Sequence, residues 1–250
     1  MTPDAYYYLV AVLAVLCSGL AKGGFSGVGS LSMPLLALVI DPVRAAAILL
    51  PILIVQDAVS VWAFRRTWDG HVLKVMLPGM AAGVLLGYLF AARVTESVVL
   101  GAVGAISILF GLHRLWTERG GAVVLPFNAP DWTGILFGTL SGFTSQIAHA
   151  GAPPFQMWVL PRRLSRDVFV GTTAIAFAAM NWMKVPAYAA LGQFTRANLT
   201  ATALLMPVAI LSTFAGVALV KRVNAERFYT LVYVLMIALG IKLVFDAFSG

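Results

Sequence analysis

Apolar residues run almost without pause along the chain, and the few polar stretches act as punctuation. A helix needs about 20 mostly apolar residues to cross a bilayer. Six runs meet that length: 43–64, 72–92, 97–116, 167–190, 197–220 and 225–248. Polar or Gly/Pro-rich segments separate them, at 65–70, 93–96, 117–131, 193–196 and 221–226. Two further regions, 5–40 and 132–160, are not simple spans. As one helix the first would be about 54 Å long, against a hydrocarbon core of about 30 Å. It is interrupted by Lys22-Gly23-Gly24-Phe25-Ser26-Gly27-Val28-Gly29-Ser30, and the second by the stretch from Ser141 to Pro154. Each region therefore reads as two helical pieces joined by irregular backbone. The first apolar run follows Asp4 and no basic residue, so it reads as a membrane segment and not as a cleavable signal.

Composition sharpens this picture. Hydrophobic residues make up 60% of the 250 positions and charged residues 11%, against about 25% charged in soluble domains. That shortage excludes a soluble domain and a disordered chain, and the single cysteine, Cys17, excludes a disulfide-stapled fold. The reading is one transmembrane domain over 1–250, all-α and polytopic, with the lipid bilayer as its surroundings. A net charge of +7 taken alone would suit nucleic acid, but Lys and Arg lie scattered between apolar runs. No nucleic-acid partner is expected; charges so placed fix membrane orientation.

The chain also repeats itself. A shift of 129 places Pro78, Gly87, Arg93-Val94 and Gly111 on Pro207, Gly216, Arg222-Val223 and Gly240. A shift of 123 places Ser18-Gly19 on Ser141-Gly142 and Ser26 on His149, and a shift of 124 places Asp57 on Asn181. The repeats span approximately 5–116 and 131–248. Eight plain crossings would make the halves parallel and spread the loop charges over both faces. If each broken region instead enters and leaves on one side, each half is a broken hairpin followed by three transmembrane helices. The second half then inverts. Arg65, Arg66, Lys74, Arg114, Arg119, Arg162, Arg163, Arg166, Lys221, Arg222 and Arg227 fall on one face, with Arg44, Arg93 and Arg196 opposite. The positive-inside rule favours this inverted topology and puts both termini outside. Inverted repeats with broken helices are an architecture of secondary transporters, whose substrate sits at the midplane where the breaks meet.

The chemistry expected there is anion binding. Amides at half-helix N-termini attract negative charge, and Gly27, Gly29, Ser30 and Gly151 supply them. Charged side chains at mid-bilayer are costly and so usually face a pathway or a partner. Lys22, Gln56, Asp57, Asn181 and Lys184, with Thr144, Ser145, Gln146 and His149 of the second break, form the candidate pocket. Asp57 and His149 are the candidates for proton coupling. Simpler roles stand beside these: an ion pair of Asp57 with Lys22 or Lys184, and snorkelling of Lys184 to the interface. Trp62, Trp158 and Trp182 read chiefly as interfacial anchors, and Gly79, Gly83 and Gly87 as a helix-packing ridge. Gly24-Phe25-Ser26-Gly27 with His149 also matches the serine motif of intramembrane proteases. Yet Ser26 and His149 occupy equivalent repeat positions, which a transporter explains without catalysis, so no enzyme activity is expected. His71, His113 and His149 are far apart in sequence, and neither a metal nor another cofactor is expected.

Taken with their placement, these motifs resemble a known family. A glycine-rich break near the start, a second reading Ala148-His149-Ala150-Gly151-Ala152-Pro153-Pro154, and Gln56-Asp57 in the following helix are similar to the sulfite exporter TauE/SafE family, also called toluene-sulfonate uptake permeases. The glycine run of the first break is shortened here to Gly27-Val28-Gly29-Ser30, and alanine stands at Ala152 in the second. The resemblance implies a bacterial inner-membrane transporter of small sulfur-containing anions such as sulfite, sulfoacetate or other organosulfonates. Inside-negative potential favours anion exit by about 2.3 kcal/mol per charge per 100 mV, so export is expected. A carrier of another small anion or metabolite is the alternative, and a homodimer is a possible assembly.

Overall fold

A computed structural model gives the structure, describing residues 3–22, 28–121, 129–219 and 226–249. Among them the chain forms ten α-helices: α1 (Pro3–Lys22), α2 (Ser32–Ala37), α3 (Pro42–Phe64), α4 (Gly70–Ala91), α5 (Glu96–Glu118), α6 (Asp131–Ala148), α7 (Ala152–Val159), α8 (Arg166–Ala190), α9 (Arg196–Leu219) and α10 (Glu226–Ser249). Short 3-10 turns precede α2 (Val28–Leu31) and follow α7 (Leu160–Arg162). Seven helices are long and apolar enough to cross a membrane: α1, α3, α4, α5, α8, α9 and α10. The protein is a polytopic, all-helical membrane protein.

Local chemistry sets the helix starts. Asp41 accepts from the Arg44 amide, Asp69 from Val72 and Thr95 from Val98, so α3, α4 and α5 each begin at a side-chain N-cap. Pro51, Pro78, Pro186 and Pro207 lie inside α3, α4, α8 and α9 without ending them. In lipid a helix has no alternative partner for its backbone, and neighbouring helices absorb the distortion.

The second break is shorter than the sequence suggests. Ser141 to Ala148 continue α6, and the irregular backbone shrinks to His149–Gly151. The reason is packing: a Cβ at Gly138 or Gly142 would run into the carbonyl oxygens of Met76 and Met80 on α4. The glycines that look like helix breakers let two helices touch. On α4 the ridge of Gly79, Gly83 and Gly87 meets Ile135, Thr139, Phe143 and Gln146 of α6, in register and in one direction.

Contacts of this kind give every helix a direction. Gln56 reaches the Val15 carbonyl, and Ser60 reaches that of Lys22, so α1 and α3 run the same way and the segment containing α2 returns between them. Gly171 abuts Thr67 and Phe64, while Asn181 meets Asp57, so α8 runs against α3. Arg44, Ile48 and Gln56 of α3 pair with Asn198, Thr202 and Ala209 of α9, which runs with α3. Gly104 lies by Val244 and Gly111 by Tyr233, so α5 and α10 are antiparallel. Packing pairs α4 with α6, α1 with α9, α5 with α10 and α3 with α8, and also sets α9 on α3 and α8 on α4.

Candidate functional site

The site lies where α1, α3, α6 and α8 come together. Asp57 of α3 and Asn181 of α8 are 1% and 2% exposed, and Asn181 Nδ2 donates to Asp57 Oδ2 at 2.6 Å. The other carboxylate oxygen, Oδ1, is ion-paired with Lys22 at the end of α1. Lys22 also sits 5.4 Å from the centre of the Phe177 ring, and its carbonyl accepts from Ser60 at 3.0 Å. A buried charge is tolerated when both its partners and its hydrogen bonds are supplied. Here one carboxylate answers one ammonium and one amide.

The second break meets another lysine, the buried Lys184 of α8. His149 ends α6 in the left-handed conformation (φ 49°), with its amide bonded to Ser145 and that of Ala150 to Thr144. This capping satisfies carbonyls that the helix end would leave bare. The imidazole bridges two elements. Its Nδ1 accepts from Lys184 Nζ at 2.9 Å, so Nε2 carries the proton and donates to the Ala46 carbonyl at 3.1 Å. Lys184 is fully buried, and it also donates to Ser145 Oγ at 3.1 Å and the Ser145 carbonyl at 3.3 Å. Snorkelling to the interface is therefore ruled out for Lys184. Pro153 and Pro154 have no N–H, so the first turn of α7 can offer an anion only the amides of Gly151 and Ala152.

Between the breaks is a cavity of about 200 Å³. Lys22, Gly29, Ser30, Ser145, His149 and Asn181, all candidates from the sequence, line it. Gln56, Asp57, Thr144, Gln146, Gly151 and Lys184 stand behind that wall, and Gly27 lies outside the described residues. Asp57 positions Lys22 and Asn181; Thr144 bonds to the carbonyls of Leu140, Ser141 and Ala150; Gly151 accepts from Ser141. Gln56 faces α1 and α9 instead. The sequence reading missed Ser18, Ser32, Ser60, Gln156, Arg166 and Thr173, which add polar groups to the lining. Arg166 was legible only as a loop charge; Ser18, Ser32 and Gln156 lie within about one turn of the breaks, and Ser60 and Thr173 lie inside the apolar runs of α3 and α8. Ser32 Oγ is buried without a hydrogen-bond partner among the described residues.

The cavity is one-sided. Its lining descends α8 from Asn181 through Phe177, Thr173, Val170 and Phe169 to Arg166, the first residue of that helix. Toward the other end, Ala45 and Ala46 are buried, His149 is bonded across to Ala46, and Tyr188 donates to the Gln146 carbonyl. Trp158 is fully buried, stacked under the Arg162 guanidinium and bonded to Thr133, whereas Trp62 and Trp182 are well exposed. No group of three or more His, Cys, Asp or Glu suited to a metal occurs among the described residues.

Comparison with curated proteins returns no match, and neither does comparison with solved structures. The family model described as sulfite exporter TauE/SafE matches residues 11–243, nearly the whole chain. Matched by that family model over nearly its whole length and carrying seven helices apolar and long enough to cross a membrane, the chain belongs to the sulfite exporter TauE/SafE family, a family of membrane transporters.

Proposed function

We propose that this protein exports a small sulfur-containing oxyanion (sulfite, sulfoacetate or another organosulfonate) by alternating access between two inverted halves. The observation that carries the proposal is the cavity between the breaks. It brings Lys22, Arg166, the Asn181 amide and several hydroxyls around a space of small-anion size. A sulfonate offers three acceptor oxygens and a permanent charge, which such donors complement. The inverted arrangement is supported by the helix directions: α1 and α3 point one way, while their counterparts α6 and α8 point the other. Arg65, Arg66, Arg162, Arg163 and Arg166 then lie at the end toward which the cavity extends. By the positive-inside rule that end is cytoplasmic, with both termini periplasmic in the inner membrane. The cavity so oriented receives substrate from inside, as an exporter requires. Asp57 and His149 are the proton-coupling candidates; a homodimer is compatible with this reading.

The test is efflux from proteoliposomes of one orientation, loaded with sulfite, sulfoacetate, a phosphonate or a carboxylate. Efflux of the sulfur anions, steepened by an inside-negative potential, is expected. Preference for the carboxylate would favour a carrier of another anion, and no efflux of any would overturn the reading.

A further inference from the structure

The two halves meet the cavity with different residues at equivalent positions, and the differences are systematic. Asp57 and Asn181 stand 124 positions apart. The same shift relates Leu49 to Thr173 and Leu53 to Phe177, and all four of these line the cavity. It also relates Ala46 to Val170 and Ser60 to Lys184. Of these pairs, only Val170 and Ser60 line the cavity; Ala46 is 5% exposed and Lys184 is fully buried. Asn181 lines it while its counterpart Asp57 does not. Leu49 and Leu53 line the cavity on the far side of Asp57 from Arg166, but wherever the equivalent positions differ, as at Val170 and Ser60, the lining member lies toward the Arg166 end.

A second relation concerns charge. In the first half the break-side helix ends in Lys22, and the crossing helix offers Ser60 to the Lys22 carbonyl. In the second half the break-side helix offers Ser145, and the crossing helix supplies Lys184 to the Ser145 carbonyl. Lys22 and Ser145 correspond by a shift of 123, Ser60 and Lys184 by 124. The lysine–serine contact is therefore kept between the halves with the partners exchanged.

We infer that Lys184 forms a second anion-holding position, used when the cavity opens to the opposite end, so that the substrate's positive partner changes from Lys22 to Lys184 during transport. The inference rests on the inverted alternating-access reading. If the halves exchange conformations, α3 presents Ala46 and Asp57 as α8 now presents Val170 and Asn181. Lys184 then takes the cavity-lining place that Ser60 holds now, and Ser145 takes that of Lys22. The ligand class is unchanged, a compact oxyanion, but its cation differs at each end. Asp57 and Asn181 stay together at the centre and anchor both arrangements.

Thiol labelling in sealed vesicles of known orientation tests this, in a Cys17→Ala background. The reagents are two impermeant methanethiosulfonates, one bearing a sulfonate and one a trimethylammonium group. Val170→Cys is expected to react from the cytoplasmic side and Ala46→Cys from the periplasmic side. A state populated at about 0.1–10% slows its labelling about ten- to a thousandfold, within measurable range. Ala46→Cys reacting only from the cytoplasm, or from neither side, overturns the inference. The sulfonate reagent should react faster than the ammonium one at both sites. Adding Lys184→Met should remove that preference at Ala46→Cys, whereas Lys22→Met should remove it at Val170→Cys. If Lys184→Met does not fold, Lys22→Met decides: loss of preference at both sites overturns the exchange of cations, and loss at Val170→Cys alone supports it. Ser249→Cys, at the end of α10, reports the topology separately. Labelling of Ser249→Cys only from the cytoplasm refutes the orientation in Proposed function. Periplasmic labelling there with Ala46→Cys silent refutes only the second position.

Discussion

Asp57 of α3 and Asn181 of α8 are bonded to each other, side chain to side chain, across two antiparallel helices. The acidic member recruits Lys22, and the amide member completes the carboxylate's other oxygen. On the inverted-repeat reading proposed above, one duplicated position supplies a donor in one half and an acceptor in the other.

Removing one partner from a buried ion pair leaves an uncompensated charge, at about 3–5 kcal/mol. Asp57→Asn should lower stability by about this amount, because Lys22 loses its only ion-pair partner among the described residues. The double variant Lys22→Met/Asp57→Asn should be more stable than Asp57→Asn alone. Denaturation of the unaltered protein, Asp57→Asn, Lys22→Met and the double variant in one detergent checks both; a double variant at the sum of the single losses would contradict the pairing.

Substrate affinity should depend on Lys22. A hydrogen bond to a charged group is worth about 1.5–3 kcal/mol, or roughly 10- to 150-fold. In the Asp57→Asn background, where removing the lysine leaves no unpaired carboxylate, Lys22→Met should raise the KM for sulfoacetate efflux by about that factor. Lys22→Arg should restore part of the affinity. Efflux kinetics from oriented proteoliposomes provide the reading.

Arg166 stands at the cavity mouth, where steering by charge is screened by salt. Arg166→Gln should slow efflux at low ionic strength and converge with the unaltered protein above about 0.5 M salt, where the Debye length falls toward 3 Å. A defect of equal size at every salt concentration would place Arg166 in contact with bound substrate.

Helix packing is testable at the glycines. A Cβ at Gly83 would meet the Thr139 carbonyl oxygen and, at 2.7 Å, the Phe143 amide nitrogen, both backbone atoms that cannot swing aside. Gly83→Ala should cost about 1–3 kcal/mol by overpacking. At Gly101 the nearest atom is Ala247 Cβ at 3.5 Å, an ordinary contact, and Gly101→Ala should be neutral or slightly stabilising. Thermal shifts of the two variants should differ in sign or by several degrees.

Much of the fold was legible because bilayer thickness and hydropathy fix span lengths with little ambiguity: α3, α4, α5, α8 and α9 begin and end within a residue or two of the expected limits. The second break was overestimated because glycine carries two messages. Gly142 in an apolar stretch marks either irregular backbone or close helix contact, and only its neighbour Met80, far away in sequence, tells which. The site was legible where a charge in lipid had to be explained, as with Lys22 and Asp57. Which side of each helix faces the cavity was not, since buried polar residues face both the cavity and other helices. Lys184 and Gln56 lie away from it for that reason, while Ser32, Ser60 and Thr173 reach it without any distinctive signal.

The pairing of α1 with α9 also bears on biosynthesis. Helix α1 settles against α9, a helix that is synthesised only after α2 to α8. Until then, the bilayer itself must shelter the face bearing Ser18 and Gly19, whose Cβ position would collide with Ser212 of α9. The pair of Lys22 and Asp57, by contrast, can close as soon as α3 inserts. Charge neutralisation is thus an early event in membrane insertion, and sealing of the helix seam a late one.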